Sequence, residues 1–189
     1  MQTESANQRR IIVTGASGVG KTTLVEKLAP LLHLQVIPEL GRAMCKERGF
    51  ERVGDIPDQL GFKNDVLTKQ IEEEERLGSF ISDRSTIDCW VLWQRWDICQ
   101  AMTYDTEAYH DRAFQQAKKY TQIIYVPPRF PAPEDGFRWT EPDYQKQIDR
   151  ICRMTLYDWN LWQRTFVVQS DEPQKRLSEI EEWLGCKSP

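Results

Sequence analysis

Residues 15–22 read GASGVGKT and fit the pattern G-x-x-x-x-G-K-[ST] of a phosphate-binding loop. The apolar segment Arg10–Thr14 precedes this loop and predicts a buried strand. After the loop, Leu24, Leu28 and Leu31 recur at helical spacing, which predicts a helix that begins where the loop ends. A strand, a glycine-rich loop and a helix in this order are the context in which the pattern binds nucleotide phosphates.

The loop residues supply the groups that a nucleotide requires. Glycines allow successive backbone N–H groups to turn inward around phosphate oxygens, and the following helix adds the partial positive charge of its N-terminus. Lys21 can reach the β- and γ-phosphates, and the hydroxyl of Thr22 can ligate Mg²⁺. The alternative is a glycine-rich turn that ends in Lys-Thr by chance, which the flanking strand and helix disfavour. We therefore predict nucleotide binding by Gly15, Ala16, Ser17, Gly18, Val19, Gly20, Lys21, Thr22 and Thr23.

Apolar segments and helical patterns alternate along the rest of the chain. This alternation predicts βαβ units and a parallel, doubly wound α/β sheet. The run Glu72–Glu75 lies in one of the helical segments, and we expect it to be a solvated helix face. The proline-rich stretch 127–137 predicts an irregular loop after the fourth strand. The predicted strands are Arg10–Thr14, Leu34–Ile37, Phe80–Ser82, Gln122–Val126 and Thr165–Gln169.

Length and composition restrict the class of protein. The 189 residues suffice for one domain, which we place at residues 10–187 after a short disordered leader at residues 1–9. The formal net charge of −4 argues against a nucleic-acid partner. No apolar stretch reaches the roughly 20 residues of a membrane-spanning helix, so we expect no membrane partner. The five scattered cysteines contain no C-x-x-C pair and fit reduced thiols in a cytoplasmic protein.

Asp83 and Arg84 follow the third apolar segment and narrow the choice among phosphate-loop proteins. A GTPase switch is expected to show D-x-x-G here and N-K-x-D late in the chain, and neither is present. A motor-type ATPase is expected to carry Glu directly after the Asp, where this chain has Arg84. An arginine can hold phosphate oxygens by its fork geometry while Asp83 serves the metal, which favours phosphoryl transfer. The alternative is a structural ion pair at the end of the strand.

The segments GASGVGKTT, PELGR, ISDRSTID, YVPP and EDGFR together resemble the P-loop small-molecule kinases. In particular they are similar to the kinase-like AAA family ATPases that include the ribosylnicotinamide kinase domain. The triplet Asp83-Arg84-Ser85 is similar to the DR[YH] of thymidylate kinases and the ERS of deoxynucleoside kinases. The resemblance covers most of residues 10–185. It implies a P-loop NTPase three-layer sandwich with a five-stranded parallel sheet, in which the Asp83 strand lies beside the phosphate-loop strand, and a lid loop.

The resemblance also implies roles for individual residues. Asp83 would contact Mg²⁺ or the acceptor hydroxyl, and Arg84 would hold the acceptor or the transferring phosphate. Glu39 would contact the acceptor and can act as a base, although it can equally stabilise a helix dipole as an N-terminal acid. Arg42 is a weaker candidate for acceptor binding. Arg138 would close over the ATP phosphates as part of the lid and exclude water.

Two further regions follow from the resemblance. Ser170–Pro173, after the last predicted strand, would hold adenine through its backbone. An aromatic-rich region after the Asp83 strand would lie near the acceptor, where a ring can stack on a base. Core packing is the better interpretation for most of its members, which are Trp90, Trp93, Trp96, Tyr104 and Tyr109.

These observations predict an ATP- and Mg²⁺-dependent phosphotransferase that acts on a small nucleoside- or nucleotide-like acceptor. Two alternatives stay open: an ATP-binding regulatory module with slow hydrolysis and a protein partner, and a kinase that acts on nucleic-acid ends. No feature of the sequence predicts an oligomeric state. The predicted catalytic residues are Lys21, Asp83, Arg84, Glu39 and Arg138, and the predicted metal ligands are Thr22 and Asp83.

Overall fold

The computed structural model describes residues 8–96, 102–130 and 142–185. Residues 1–7 of the predicted leader lie outside these ranges, and the backbone N–H of Arg9 donates to the hydroxyl of Ser79 (3.2 Å). The strands are β1 Arg10–Thr14, β2 Gln35–Ile37, β3 Phe80–Asp83, β4 Gln122–Tyr125 and β5 Thr165–Val167. The helices are α1 Lys21–Leu32, α2 Leu40–Glu47, α3 Gln59–Leu77, α4 Thr86–Trp96, α5 Thr103–Ala117, α6 Pro142–Asp158 and α7 Pro173–Trp183.

The strands form one parallel sheet in the order β2-β3-β1-β4-β5. The predicted five-stranded α/β fold is confirmed, and β3 pairs with β1 so that Asp83 lies opposite Val13. The predicted bounds differ from the observed ones by up to two residues, most at β5, which ends at Val167 instead of Gln169. The carboxyl ends of β1, β3 and β4 therefore lie side by side, at the edge where open α/β sheets bind their ligands.

The central strand β1 forms the middle of the core. Ile11, Ile12 and Val13 are fully buried, because a central strand of a parallel sheet is covered on both faces and reads as a continuous apolar run. Helix α1 packs on β1 and β3, and α4 packs against α5 and α6. Within the described ranges, no helix combines the length and the apolar character that a membrane crossing requires.

The prediction that Glu72–Glu75 form a solvated helix face is wrong at Glu74, whose side chain is fully buried. Four consecutive residues span about 300° around a helix, so one of them must face the core. The Glu74 carboxylate accepts hydrogen bonds from Gln70 Nε2 (2.8 Å), Gln116 Nε2 (2.9 Å) and the hydroxyl of Tyr120 (2.9 Å). These bonds join α3 to α5 and to Tyr120, two positions before β4.

Glu74 is expected to make stability depend on pH. Burial raises the pKa of Glu74 to about 7 although three donors oppose the shift. Because this folded-state pKa lies above the unfolded value of about 4.3, the contribution of Glu74 is greatest below pH 4 and is lost as pH rises toward 7. In Glu74→Gln, which does not titrate, we expect a free energy of unfolding about 3 kcal/mol above the parent at pH 8 and a smaller difference at pH 5.

Urea unfolding of both proteins at pH 5 and pH 8 measures this difference. Glu72→Gln, at an exposed position on the same helix, serves as the control and should show no pH-dependent change. Equal destabilisation of Glu74→Gln at both pH values would contradict the prediction, since it would mean that the ionised carboxylate is the native form.

Candidate active site

The phosphate loop, residues 15–20, joins the end of β1 to the start of α1. Gly15, Gly18 and Gly20 have φ angles of 138°, 78° and 93°, which favour glycine because they are unfavourable for residues with a Cβ. At Gly15 a Cβ would lie only 2.3 Å from the carbonyl oxygen of Val126. The glycines therefore allow the loop to pass beside β4 and turn directly into the N-terminus of α1, where backbone N–H groups can bind phosphate oxygens.

Lys21 is the first residue of α1 and lies over the loop, with 6% of its surface exposed. Its Nζ donates hydrogen bonds to the carbonyl oxygens of Gly15 (3.0 Å) and Ala16 (2.6 Å). Burial lowers the pKa of Lys21 to about 8, and the positive charge of Arg84 acts in the same direction. The side chain is still protonated at neutral pH, so the loop carries an ammonium group beside its backbone.

Two distant side chains hold the loop and were missed by the sequence analysis. Gln145 of α6 donates to the carbonyl oxygen of Ser17 (2.9 Å), and Arg176 of α7 donates to that of Val19 (2.9 Å). Arg176 also donates to the carbonyl oxygen of Ser170 (2.8 Å), which ties the segment predicted to hold adenine to the loop. No local pattern marks these residues, because they lie 128 and 157 positions from their loop partners.

Thr22 and Asp83 meet where β3 ends beside α1. The hydroxyl of Thr22 donates to Asp83 Oδ2 (2.6 Å). Asp83 is 3% exposed, and its Oδ1 has no hydrogen-bond partner among the described residues. A buried carboxylate oxygen without a donor, next to a hydroxyl, fits an oxygen-preferring cation such as Mg²⁺. The described ranges hold no group of three or more His, Cys, Asp or Glu side chains suited to a metal, so such an ion would take its other ligands from phosphate and water.

Arg84 connects the phosphate loop to two neighbouring helices. Its φ is 79°, which is uncommon for a residue with a Cβ, and its backbone N–H donates to the carbonyl oxygen of Val13 (3.1 Å). Its largely buried guanidinium donates to Glu39 Oε1 (2.7 Å), Asp88 Oδ1 (3.3 Å) and Ser17 Oγ (3.2 Å). An ion pair at the end of this strand therefore exists, but its partners are Glu39 and Asp88, and it lies against the loop.

Glu39 is the N-cap residue of α2, yet among the described residues its carboxylate makes no capping hydrogen bond to that helix. It faces Arg84, and Arg42 Nε lies 3.8 Å from its Oε2. Burial alone would raise the pKa of Glu39, but the charges of Arg84 and Lys21 lower it to about 2. At Asp88 the balance is reversed, since burial outweighs the charge of Arg84 and raises the pKa. At neutral pH Glu39 is therefore fully ionised and a weak base.

A cavity of about 440 Å³ opens beside this cluster. Its polar lining includes Ser17, Glu39, Arg84 and Asp88, so the cavity and the phosphate loop share a wall. This volume lies within the usual range of small-molecule sites, which are mostly apolar with a few convergent polar groups. The apolar and aromatic lining includes Phe62, Val66, Leu92, Trp96, Tyr109 and Tyr144.

A family model described as an AAA domain matches residues 10–176. The chain belongs to this AAA domain family. No curated protein matches the sequence at a significant level.

Solved structures share the fold of this AAA domain. The NadR protein in complex with NR aligns with a TM-score of 0.78 at 17% identity, over 98% of this chain and 54% of that one. The chain thus spans about half the length of NadR. Deoxyadenosine kinase from M. mycoides with bound dATP aligns with a TM-score of 0.57 at 16% identity, over 93% of this chain and 98% of that one. At these identities the likeness shows a shared P-loop kinase-like fold.

The AAA domain brings most of the predicted site residues together around the phosphate loop. The exception is Arg138, which lies in residues 131–141, outside the described residues. The contacts described above place the others in one region, which includes residues 15–23, Glu39, Asp83 and Arg84.

The predicted aromatic region divides between the core and the cavity. Trp93 is fully buried and stacks on Tyr109, with ring centroids 4.0 Å apart. Tyr104 is 70% exposed, and Trp90 does not line the cavity. Only Trp96 and Tyr109 of this region do so, and they are the members that can pack against a ligand.

Asp88 is a site residue to which the sequence analysis gave no role. It is 4% exposed and accepts hydrogen bonds from the hydroxyl of Ser85 (3.1 Å) and from Arg84. In the segment DRSTID it follows Arg84 by four positions. Arg84, however, precedes α4 and has a left-handed φ of 79°. The rule that opposite charges four positions apart meet on a helix therefore does not apply to this pair, and no local pattern marked it.

Arg84→Met is expected to lower the free energy of unfolding at pH 7 by about 3 kcal/mol. The substitution keeps an apolar side chain of similar length but removes the cation between two buried carboxylates. In the parent, Glu39 contributes stability that is complete above about pH 4.3 and is lost as pH falls toward its folded-state pKa of about 2. In the variant this acid-dependent loss should become smaller, because the lowering of the Glu39 pKa by Arg84 is gone and only the weaker effects of Lys21 and Arg42 remain. Urea unfolding at pH 7 and pH 3 measures both effects.

The matched control is Arg76→Met on α3. Arg76 pairs with Glu73 (2.6 Å) and has 64% of its side chain exposed, so its loss should change stability by less than about 1 kcal/mol. If the free energy of unfolding falls by the same small amount in both variants, the ion pairs of Arg84 do not stabilise the fold.

Proposed function

We propose that the AAA domain, residues 10–187, is an ATP- and Mg²⁺-dependent phosphotransferase. It would transfer the γ-phosphate of ATP to a small nucleoside- or nucleotide-like acceptor. The proposal rests mainly on the position of Arg84, whose guanidinium contacts Ser17 of the phosphate loop and also lines the cavity. One cation between a phosphate site and a pocket can neutralise the charge of a group that passes between them.

The nucleotide side of the proposal uses the loop, α1 and the end of β3. Lys21 and the loop N–H groups would hold the β- and γ-phosphates and neutralise their charge. Thr22 and the unpartnered Oδ1 of Asp83 would hold Mg²⁺. When bound, Mg²⁺ supplies further charge neutralisation at the phosphate oxygens.

The acceptor side uses Glu39 and Arg84. A carboxylate whose pKa is about 2 holds a proton poorly but can accept a hydrogen bond, so Glu39 would orient the acceptor hydroxyl. As the new phosphorus–oxygen bond forms, the hydroxyl proton would be released to solvent rather than stay on Glu39. Phosphoryl transfer through a loose transition state depends mainly on positioning and charge neutralisation, which these two residues would provide. Asp83 is not assigned to the acceptor, because its carboxylate accepts a hydrogen bond from Thr22 on the nucleotide side. Arg138 stays a prediction for the lid that excludes water.

The shared fold supports an acceptor of nucleoside or nucleotide size, because deoxyadenosine kinase was solved with dATP and NadR with NR. The formal net charge of −4 disfavours nucleic-acid ends as substrates. A regulatory module with slow hydrolysis differs from a transferase in one measurable respect, which is that an acceptor would not stimulate its release of ADP.

Acceptor-stimulated ADP release is therefore the test, with a panel of nucleosides and nucleotides added in turn to ATP and Mg²⁺. We expect at least one member to raise the rate, and Lys21→Ala to lower that stimulated rate by at least about a hundredfold, because the γ-phosphate loses its cation. Lys27→Ala, at a position on the same helix away from the loop, should retain the parent rate. ADP release that no acceptor changes would reject the transferase and favour the regulatory module.

Asp83→Asn tests the metal side separately. The amide keeps the size of the side chain and can still accept the Thr22 hydrogen bond, but it carries no charge for Mg²⁺. We expect a loss of at least about a hundredfold in acceptor-stimulated turnover, with the melting temperature within a few degrees of the parent. Turnover and thermal melting on the same preparation measure both. Turnover at the parent rate would reject the proposed role of Asp83 as a metal ligand.

A further inference from the structure

Lys63 of α3 is a cation in the cavity that the proposed transfer step does not use. It lines the cavity, and its ammonium has no hydrogen bond or ion pair with any described residue. Its Nζ lies 5.2 Å from the centroid of the Trp96 ring. Burial lowers the pKa of Lys63 to about 8, so the side chain is still mostly charged at neutral pH. Lys21, in contrast, donates to two carbonyl oxygens.

One face of α4 runs along the cavity and gives it two distinct ends. Asp88, Leu92 and Trp96 recur every four residues on this face, and all three line the cavity. Asp88 lies near the start of α4 and Trp96 is its last residue, which corresponds to about 12 Å along the helix axis. Arg84 contacts Asp88 at one end, and the Lys63 ammonium lies over Trp96 at the other. A ligand that filled this length would have its two ends in different surroundings.

The side chains that line the cavity are unbalanced in charge. Among the described residues they include four cations and two carboxylates, although the whole chain has a net charge of −4. Both carboxylates, Glu39 and Asp88, bind Arg84. Arg95, which also lines the cavity, has a buried Nε without a hydrogen-bond partner among the described residues. Arg42 lies beside Glu39. Of the four cations, Lys63 and Arg95 therefore have no ion-pair partner among the residues that the structure describes.

A desolvated ammonium in apolar surroundings is costly unless a partner compensates it. The Trp96 ring offsets part of this cost through a cation–π contact. The nearby apolar lining of Phe62, Val66 and Leu92 offers no side-chain oxygen. An anion that enters the cavity would supply the missing partner, and in such a setting the pair would be stronger than at an exposed surface.

We propose that Lys63 binds an anionic group, a carboxylate or a phosphate, at the end of the acceptor opposite the group that receives the γ-phosphate. This inference rests on the proposed function and narrows its substrate class. The acceptor is then an anionic molecule of nucleoside size, held at one end by Glu39 and Arg84 and at the other by Lys63. A neutral nucleoside would leave the Lys63 ammonium unpaired in the closed site.

Calorimetric titration without ATP tests the inference with two matched pairs of probes. Uridine is compared with uridine 6-carboxylate, and adenosine with adenosine 3′-phosphate, so that each probe keeps a free 5′-hydroxyl. We expect the parent to bind the anionic member of at least one pair about tenfold more tightly, or about 1.4 kcal/mol. The pair that shows the preference distinguishes a carboxylate from a phosphate.

The variants are Lys63→Met and Lys63→Gln, with Lys69→Met as the control. Lys69 is an exposed lysine on the same helix that pairs with Glu73 (2.9 Å). Both Lys63 variants should lose the anionic preference while binding the neutral members as the parent does, and Lys69→Met should retain the preference. The melting temperature of Lys63→Met should not fall, because the substitution removes a desolvated charge.

Absence of an anionic preference from both pairs in the parent, or its persistence in the Lys63 variants, would overturn the inference. ADP release separates this failure from failure of the proposed function. A neutral acceptor that stimulates ADP release equally in the parent and in Lys63→Met would reject the anionic acceptor and retain the transferase. Lys63-dependent binding of an anion together with acceptor-independent ADP release would retain the anion site and reject the transferase.

Discussion

The guanidinium of Arg84 forms the contact on which the arrangement of the site depends. It joins Glu39 before α2, Asp88 in the first turns of α4 and Ser17 in the phosphate loop. The left-handed φ of 79° at Arg84 costs roughly 1 kcal/mol or more. Such a conformation persists when its surroundings fix it, as the hydrogen bond from the Arg84 N–H to Val13 and the two buried ion pairs do here. A single residue thereby sets the relative positions of three segments that are distant in sequence.

The two carboxylates around Arg84 have different electrostatic environments. The charges of Arg84 and Lys21 lower the pKa of Glu39 despite its burial, whereas deeper burial raises the pKa of Asp88. Paired titratable groups whose environments separate their pKa values commonly take different roles in a site. Glu39 is ionised and borders the cavity, so it suits contact with the proposed acceptor. Asp88 is nearly inaccessible and bonds to Ser85, so it suits the positioning of Arg84.

The site also depends on packing at a distance from it. Gln145 and Arg176, from the last two helices, fix two carbonyl oxygens of the phosphate loop. In the wall of the cavity, Gln70 donates a hydrogen bond to the buried Glu74. The Glu74 carboxylate also accepts a hydrogen bond from Gln116 of α5. A buried polar group of this kind is tolerated only when its partners are satisfied. The wall of the cavity is therefore continuous with a polar network of the core.

Local patterns in the sequence were enough to predict β1, the phosphate loop and α1, because strand and helix periods and the conformational freedom of glycine follow general rules. The position of the Asp83 strand beside the phosphate-loop strand came from the resemblance to the P-loop small-molecule kinases. The same patterns could not show which of the residues Glu72–Glu75 is buried, since a run of like charges has no period. They also could not assign a partner to Arg84 or show that Lys63 lies in the cavity. Those facts depend on how segments distant in sequence pack on one sheet, as in the contacts of Arg84, Gln145 and Arg176 with partners 45, 128 and 157 positions away. Packing geometry is set by the whole fold rather than by any segment.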